Sequence, residues 1–275
     1  MNKLSLIISV YNKPENLNLI FHALKNQTFK DFEVIISDDG SGEEIRKLIQ
    51  DWKESEFFSI THVWQENKGF RKNKILNKSV SMCNTDYLVF IDGDCIPHHK
   101  FLEIHNEEKE NNTVLCGRRV YLGKELSSNL TIESIENRSF ENITFKMILQ
   151  SFKRNETESY SVEEGFFIQN KFIRNLIINK NPSILGSNFS LHKNLLLKIN
   201  GFDENYIGPG IGEDMDIEWR LRKLGVKMKS VKNLAIQYHL YHPKTKEENK
   251  NFVYFQNIKN NINHYCENGI VKNEN

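Results

Sequence analysis

Three features are scarce in this sequence, and each scarcity excludes something. No apolar run approaches the ~20 residues that a membrane-crossing helix needs. Met1-Asn2-Lys3 leads straight into a strand-like segment and shows no leader pattern, so the expectation is a cytoplasmic protein, at most lying against the inner face of the membrane. Neither sign of charge dominates: 37 Lys and Arg face 36 Asp and Glu, for a net charge of +1. That balance gives no general drive toward nucleic acid and leaves any anionic ligand to be met by local groups. Cysteine is sparse, and Cys83, Cys95, Cys116 and Cys266 lack the close paired spacing of a zinc site. A chain of 275 residues needs no disulfide staples, so the four are read as reduced and mostly buried thiols. Internal repeats and flexible linkers are also missing.

What is present suffices for one sizeable core, with 39% hydrophobic and 27% charged residues. Leu4 to Val10 is a short run rich in β-branched residues, and Pro14 then opens a helical spacing through Leu17, Ile20, Phe21 and Leu24. The succession repeats. Phe32 to Ser37 reads as a strand and Asp38-Asp39-Gly40 as a turn, and Ser41 with Glu44 forms a capping box ahead of Ile45, Leu48, Ile49 and Trp52. A third strand spans Phe57 to Trp64, a helix runs from about Arg71 to Met82, and a fourth strand follows. This alternation predicts an α/β fold with a Rossmann-like, mostly parallel central sheet flanked by helices. Ligands of such sheets bind beyond the carboxyl ends of the strands. Polar clusters fall at those ends: Ser9-Val10-Tyr11-Asn12, Ser37-Asp38-Asp39, Gln65 to Gly69, and Asp92-Gly93-Asp94.

Residues 121–183 are more polar and surround a predicted helix from Leu130 to Phe152, so they read as an insertion. Regular periodicity returns at Ile184 to Leu191, followed by a helix near His192 to Ile199, a loop from Gly201 to Gly212, a helix from Glu213 to Leu224, and strands at Val226 to Val231 and Leu234 to Tyr238. In the tail, Phe252, Phe255, Ile258 and Ile262 recur at helical spacing and predict an amphipathic helix that packs on the core, on a second copy, or on a membrane surface. The expected layout is a first half over 1–120, a second half over 121–245, and a C-terminal helix within 246–275 of the same domain.

Tyr87 to Ile91 is an apolar run that ends abruptly in Asp92-Gly93-Asp94. Two carboxylates leaving a strand end on the same side repel one another and suggest a cation between them. Carboxylate oxygens suit Mg²⁺ or Mn²⁺, ions that commonly accompany a diphosphate. Taken alone, Asp-Gly-Asp is equally a solvated turn.

With Leu6-Ile7-Ile8-Ser9-Val10-Tyr11-Asn12, Gln27 to Ile36, Ser37-Asp38-Asp39-Gly40-Ser41, Asn67-Lys68-Gly69-Phe70-Arg71 and Asp92-Gly93-Asp94 in order, the first ~120 residues resemble a family 2 glycosyltransferase of the GT-A nucleotide-diphospho-sugar fold. Gly201-Phe202-Asp203-Glu204 and Gly212-Glu213-Asp214-Met215-Asp216 resemble the galactosyltransferase-type C-terminal region of bacterial polysaccharide-forming members. The resemblance implies an inverting, metal-dependent transfer of a hexose or N-acetylhexosamine from a UDP-sugar donor to a saccharide acceptor. Partner classes left open are another nucleotide-sugar, such as a dTDP-sugar, and a non-catalytic glycan-binding role.

On that footing Ser9 and Tyr11 line the base and ribose, and Asp39 accepts a hydrogen bond from the uracil N–H, with Asp38 given to turn structure. Arg71 sits by phosphate or base oxygens, at a helix start that favours anions, and Lys72 is assigned to a solvated helix face. Asp94 carries the metal, with Asp92 reaching ribose or metal-bound water. His242, with His239 in reserve, supplies a further metal ligand. Asp214 is the base that takes the acceptor proton. Glu213 binds sugar, Asp216 supports the helix, Trp219 belongs to the core, and Asn188 contacts a sugar hydroxyl.

Overall fold

A computed structural model describes residues 3–142, 159–177, 181–208, 213–243, 249–260 and 263–272. The chain begins with β1 (Leu4–Val10), α1 (Pro14–Lys25), β2 (Phe32–Asp38), α2 (Glu43–Glu54), β3 (Ser59–Trp64), α3 (Lys72–Met82) and β4 (Tyr87–Asp92). All seven residues of β2 are buried, polar Glu33, Ser37 and Asp38 included, as in a strand covered on both faces. Alternation within β1 divides the core: Leu6 and Ile8 face α1 and α2, whereas Ile7 joins Leu88, Phe90, Leu76 and Val80 on the other side.

After β4 come β5 (Cys95–Pro97), α4 (Phe101–Glu107), β6 (Thr113–Cys116), β7 (Val120–Tyr121), α5 (Lys124–Ser128) and α6 (Ile132–Glu136). Beyond these lie α7 (Lys171–Ile177), β8 (Phe189–His192), α8 (Lys193–Lys198), α9 (Glu213–Lys223), β9 (Lys227–Ser230), β10 (Gln237–His239) and α10 (Asn249–Lys259). The main sheet has the order β3-β2-β1-β4-β8-β6-β9, and β8 runs antiparallel to both β4 and β6. The other four pairings are parallel. A small second sheet, β5-β10-β7, joins three segments that are distant in sequence.

Several expectations change. Ser41 and Glu44 form no capping box: α2 starts at Glu43 with Gly42 as its N-cap, and the Ser41 hydroxyl instead accepts the Asn12 N–H (2.8 Å). The helix expected from Leu130 to Phe152 is resolved as α6 and a 3₁₀ turn at Ser139–Asn142, with its continuation from 143 outside the described residues. The capping box appears here instead, on Thr131 and Ser134. The tail helix docks on its own chain: Phe255 is buried, the Tyr254 hydroxyl donates to Asp203 (2.8 Å), and the Asn251 side chain accepts the Ile207 N–H (2.9 Å). Among the described residues no helix is long and apolar enough to cross a membrane. All four cysteines are free and buried.

Candidate active site

β1 is followed by connections that lead to β2 and β3 on one side, and the chain then returns to β4 on the other. This strand-order reversal opens a crevice at the carboxyl ends of β1, β2 and β4. In register, Ser9 lies between Ser37 and Asp92. The Gly93 N–H donates to the Ser9 carbonyl (2.7 Å), and a Cβ at residue 93 would meet that oxygen at 2.8 Å, so the chain needs glycine there. A cleft of about 590 Å³ fills the crevice, and Ser9, Tyr11, Asp39, Asp92, Asp94, His239 and His242 all line it.

Asp38 and Asp39 take different places. Asp38 is fully buried, accepts the Ser41 N–H (2.7 Å) and faces His62 Nε2 (2.8 Å), which completes a turn. Asp39 reaches the cleft, held by Gln65 Nε2 (2.7 Å) and by the Arg71 N–H (2.6 Å).

Sequence reasoning chose the wrong neighbour at the start of α3. The Arg71 guanidinium turns to the Glu66 carbonyl and lines a different hollow, near Glu204 and Lys272. Lys72 enters the cleft instead, with Nζ 2.8 Å from Asp92 Oδ1. Arg71 is the N-cap of α3 with non-helical backbone (φ −135°, ψ 41°) and Lys72 its first helical residue, so the two side chains leave in different directions. Arg119 was also missed. It lines the cleft with Nη1 3.7 Å from Asp92 Oδ2 and 3.1 Å from Ser187 Oγ. The doubled arginine after β6 was the available signal.

Pairing of β10 with β5 brings His239 opposite Cys95, and the Leu240 N–H donates to the Asp94 carbonyl (2.8 Å). Asp94 Oδ2 then lies 3.6 Å from His239 Nε2 and 3.4 Å from His242 Nε2. One ligating atom from each of the three residues falls within 4.8 Å of the others. His242 Nδ1 lies 2.9 Å from the Pro243 carbonyl, which can only accept, so this nitrogen carries a proton and Nε2 is the atom that faces Asp94. Burial lowers the His239 pKa to about 4, which makes it a neutral imidazole at pH 7. Burial also pushes the Asp94 carboxyl up, but the hydrogen bond to His242 and the positive surroundings, Arg119 among them, outweigh it and hold the group well below the usual range. The His242 pKa shifts up, chiefly through the same bond to Asp94.

Asp214 stands in the first turn of α9, its Oδ2 accepting the Gly186 N–H (3.2 Å) and its Oδ1 the Met215 N–H (2.8 Å). Burial raises its pKa, opposed by the Gly186 bond and the Lys72 charge. The Glu213 side chain lies outside the described residues. Asp216 grips Arg220 through two bonds, the supporting role expected. Trp219 is only part-buried, with the Lys223 ammonium 4.5 Å above its ring. Asn188 does not face the cleft. It is fully buried, donates to the Arg118 and Ala235 carbonyls (2.7 and 2.9 Å), and meets His105 with its oxygen (3.3 Å), so its amide is consumed by packing.

This sheet order and strand-end cleft define an α/β protein with the GT-A fold of nucleotide-sugar transferases. Two solved structures share it: S. aureus TarS 1–349 in complex with UDP-GlcNAc (TM-score 0.61, 14% identity, covering 93% of this chain and 65% of that one), and the mannosyltransferase PcManGT from Pyrobaculum calidifontis in complex with GDP-Man and Mn²⁺ (TM-score 0.57, 14% identity, 88% and 58%). At that identity the likeness carries the fold alone. The family model for glycosyl transferase family 2 matches residues 5–176, and the chain belongs to that family. A second model, described as the N-terminal domain of galactosyltransferase, matches residues 175–243. Curated relatives include the chondroitin synthase of Escherichia coli, 27% identical over 253 residues (89% of this chain, 36% of that one). The hyaluronan synthase of Pasteurella multocida is 25% identical over 256 residues (89% and 25%). The chain therefore spans only about a quarter to a third of the length of these relatives.

Proposed function

We propose that the protein transfers a hexose or N-acetylhexosamine from a UDP-sugar to a glycan hydroxyl, with inversion and with the help of a divalent cation. The observation that carries this reading is the convergence of Asp94, His239 and His242 beside Asp92 in the strand-end cleft. Two imidazoles, which ligate in their neutral form, and one carboxylate are a donor set that favours Mn²⁺ over Mg²⁺, since Mg²⁺ prefers oxygen alone. When bound, such an ion neutralises the diphosphate that departs with the nucleotide.

The chain's own residues supply the rest. Asp39 accepts from the ring N–H of the base, with Ser9 and Tyr11 beside the nucleoside. Lys72 and Arg119 bracket Asp92 and add positive charge to the cleft that receives the diphosphate. Asp214 takes the proton from the acceptor oxygen as that oxygen attacks from the face opposite the leaving nucleotide. Its raised pKa makes it a better base than an ordinary aspartate. Relatives named as chondroitin and hyaluronan synthases support an acceptor that is itself a saccharide of a surface polymer or glycoconjugate.

The test is nucleotide release from purified protein with Mn²⁺ across UDP-, dTDP- and GDP-sugars, with and without a mixed oligosaccharide pool. Release from one UDP-sugar, abolished by EDTA, supports the reading. Release from a dTDP- or GDP-sugar alone overturns the assignment of the base, and release that survives EDTA overturns the role of the cation.

A further inference from the structure

Tyr160 lies in the polar insertion and is bound into the site by its backbone. It exchanges two hydrogen bonds with Tyr121, N–H to carbonyl in each direction at 3.1 Å, and the neighbouring Ser159 hydroxyl accepts the Gly123 N–H at 2.8 Å. These bonds fix the segment without using the Tyr160 ring. That ring stacks on Tyr121 with centroids 4.1 Å apart and planes at 12°, yet Tyr160 remains 48% exposed, which leaves its outer face to solvent. Tyr121 in turn lies 5.0 Å from the His239 ring and beneath the Arg119 guanidinium at 4.7 Å, and Arg119 reaches Asp92. A chain of contacts thus runs from Asp92 in the cleft, through Arg119 and Tyr121, to the ring of Tyr160.

We propose that the outer face of Tyr160 is the stacking platform for a pyranose ring of the saccharide acceptor. A pyranose presents a face of C–H groups whose burial against an aromatic ring removes apolar surface from water, while its hydroxyls stay hydrated at the edges. A tyrosine already clamped on one side pays little rotamer entropy when the second side is covered. Tyr121 joins this ring to Arg119 and His239, both of which line the cleft, and that sets the occupant: a sugar on the platform lies two rings from the transfer site. The inference rests on the transferase reading for the identity of that sugar as acceptor, and on the ring geometry for the platform itself.

The experiment probes an array of chondroitin, hyaluronan and neutral hexose oligosaccharides with labelled protein, with and without UDP and Mn²⁺, for wild type, Tyr160→Ala and Tyr160→Phe. Wild type should retain at least one glycan, Tyr160→Ala should lose about tenfold in retention, and Tyr160→Phe should stay within about twofold of wild type, because the ring and not the hydroxyl does the work. UDP affinity should be equal in all three, which also shows that the variants are folded. Equal retention by Tyr160→Ala, or no retained glycan by wild type, overturns the platform. Loss of UDP binding by wild type strikes the donor reading instead, and the array without UDP then still decides the platform.

Discussion

Replacing Asp216 with alanine strips Arg220 of the carboxylate that its guanidinium grips. Arg220 is 1% exposed, with Nε 2.9 Å from Asp216 Oδ2 and Nη2 bonded to the same oxygen. Its Nη1 donates to the Ile199 and Gly201 carbonyls at 2.7 and 2.8 Å, which ties the turn after α8 to the helix that carries Asp214. Removing one partner of a buried pair typically costs ~3–5 kcal/mol, because the remaining charge stays desolvated. Asp203 also acts on Arg220, and the two carbonyls remain as acceptors, so the loss belongs at the lower end, ~3 kcal/mol. At ~2–4 °C per kcal/mol for a chain of this size, the melting temperature should fall by about 6–12 °C. Thermal unfolding followed by circular dichroism measures it, with Asp216→Asn, which keeps one acceptor oxygen, falling in between. Below the transition, UDP binding should survive while transfer drops, because the damage lies under the base and away from the nucleotide. A melting temperature within about 1 °C of wild type would refute the reasoning.

Asp214→Asn should lower transfer by ~10²–10⁴-fold while leaving UDP affinity within error, read by steady-state kinetics beside titration calorimetry. Because burial raises the Asp214 pKa, the acid limb of kcat should lie above the range of an ordinary aspartate, and a limb at or below pH 4 would remove Asp214 as base. Lys72→Ala should weaken donor binding by roughly tenfold to a hundredfold, the worth of a charge-assisted hydrogen bond, whereas Arg71→Ala should change it little; the reverse order would contradict the geometry. Fully buried His105 has its pKa lowered by burial from 6.5 to about 3. The unfolded chain therefore binds the proton first, so stability is fully present above pH 6.5, falls as pH drops below it, and levels near pH 3. By pH 5 the loss should be ~2 kcal/mol in denaturant titrations, and His105→Asn should remove that slope.

The first half of the chain was legible because its signals are local. β1 and α1 have the boundaries that an apolar run and Pro14 dictate, and Asp39, Asp92 and Asp94 announce themselves as acid at strand ends. Turn chemistry before Gly40 accounts for Asp38, which accepts the Ser41 N–H. What escaped depends on rotation or on distant pairing. Arg71 and Lys72 are adjacent at the start of α3, and the pattern of α3 did not settle which of them faces the strand ends. Arg119 is delivered by β7, a two-residue strand whose partner β10 lies more than a hundred positions away. The same small sheet sets His239 and His242 about Asp94; the resemblance favoured His242 and kept His239 in reserve, and the structure brings both to the carboxylate. Asn188 was misjudged because a buried amide satisfied by two carbonyls has the same sequence signature as one that waits for a sugar.

The most direct measurement of the central claim is calorimetric titration of UDP into wild type, Asp94→Ala and His242→Ala, each with Mn²⁺ and with EDTA. The account predicts Mn²⁺-dependent binding by wild type, and a loss of about tenfold or more in the Mn²⁺-dependent part for each variant, toward the EDTA value. Mn²⁺-dependent binding that persists undiminished in Asp94→Ala would contradict it and move the metal away from this cluster.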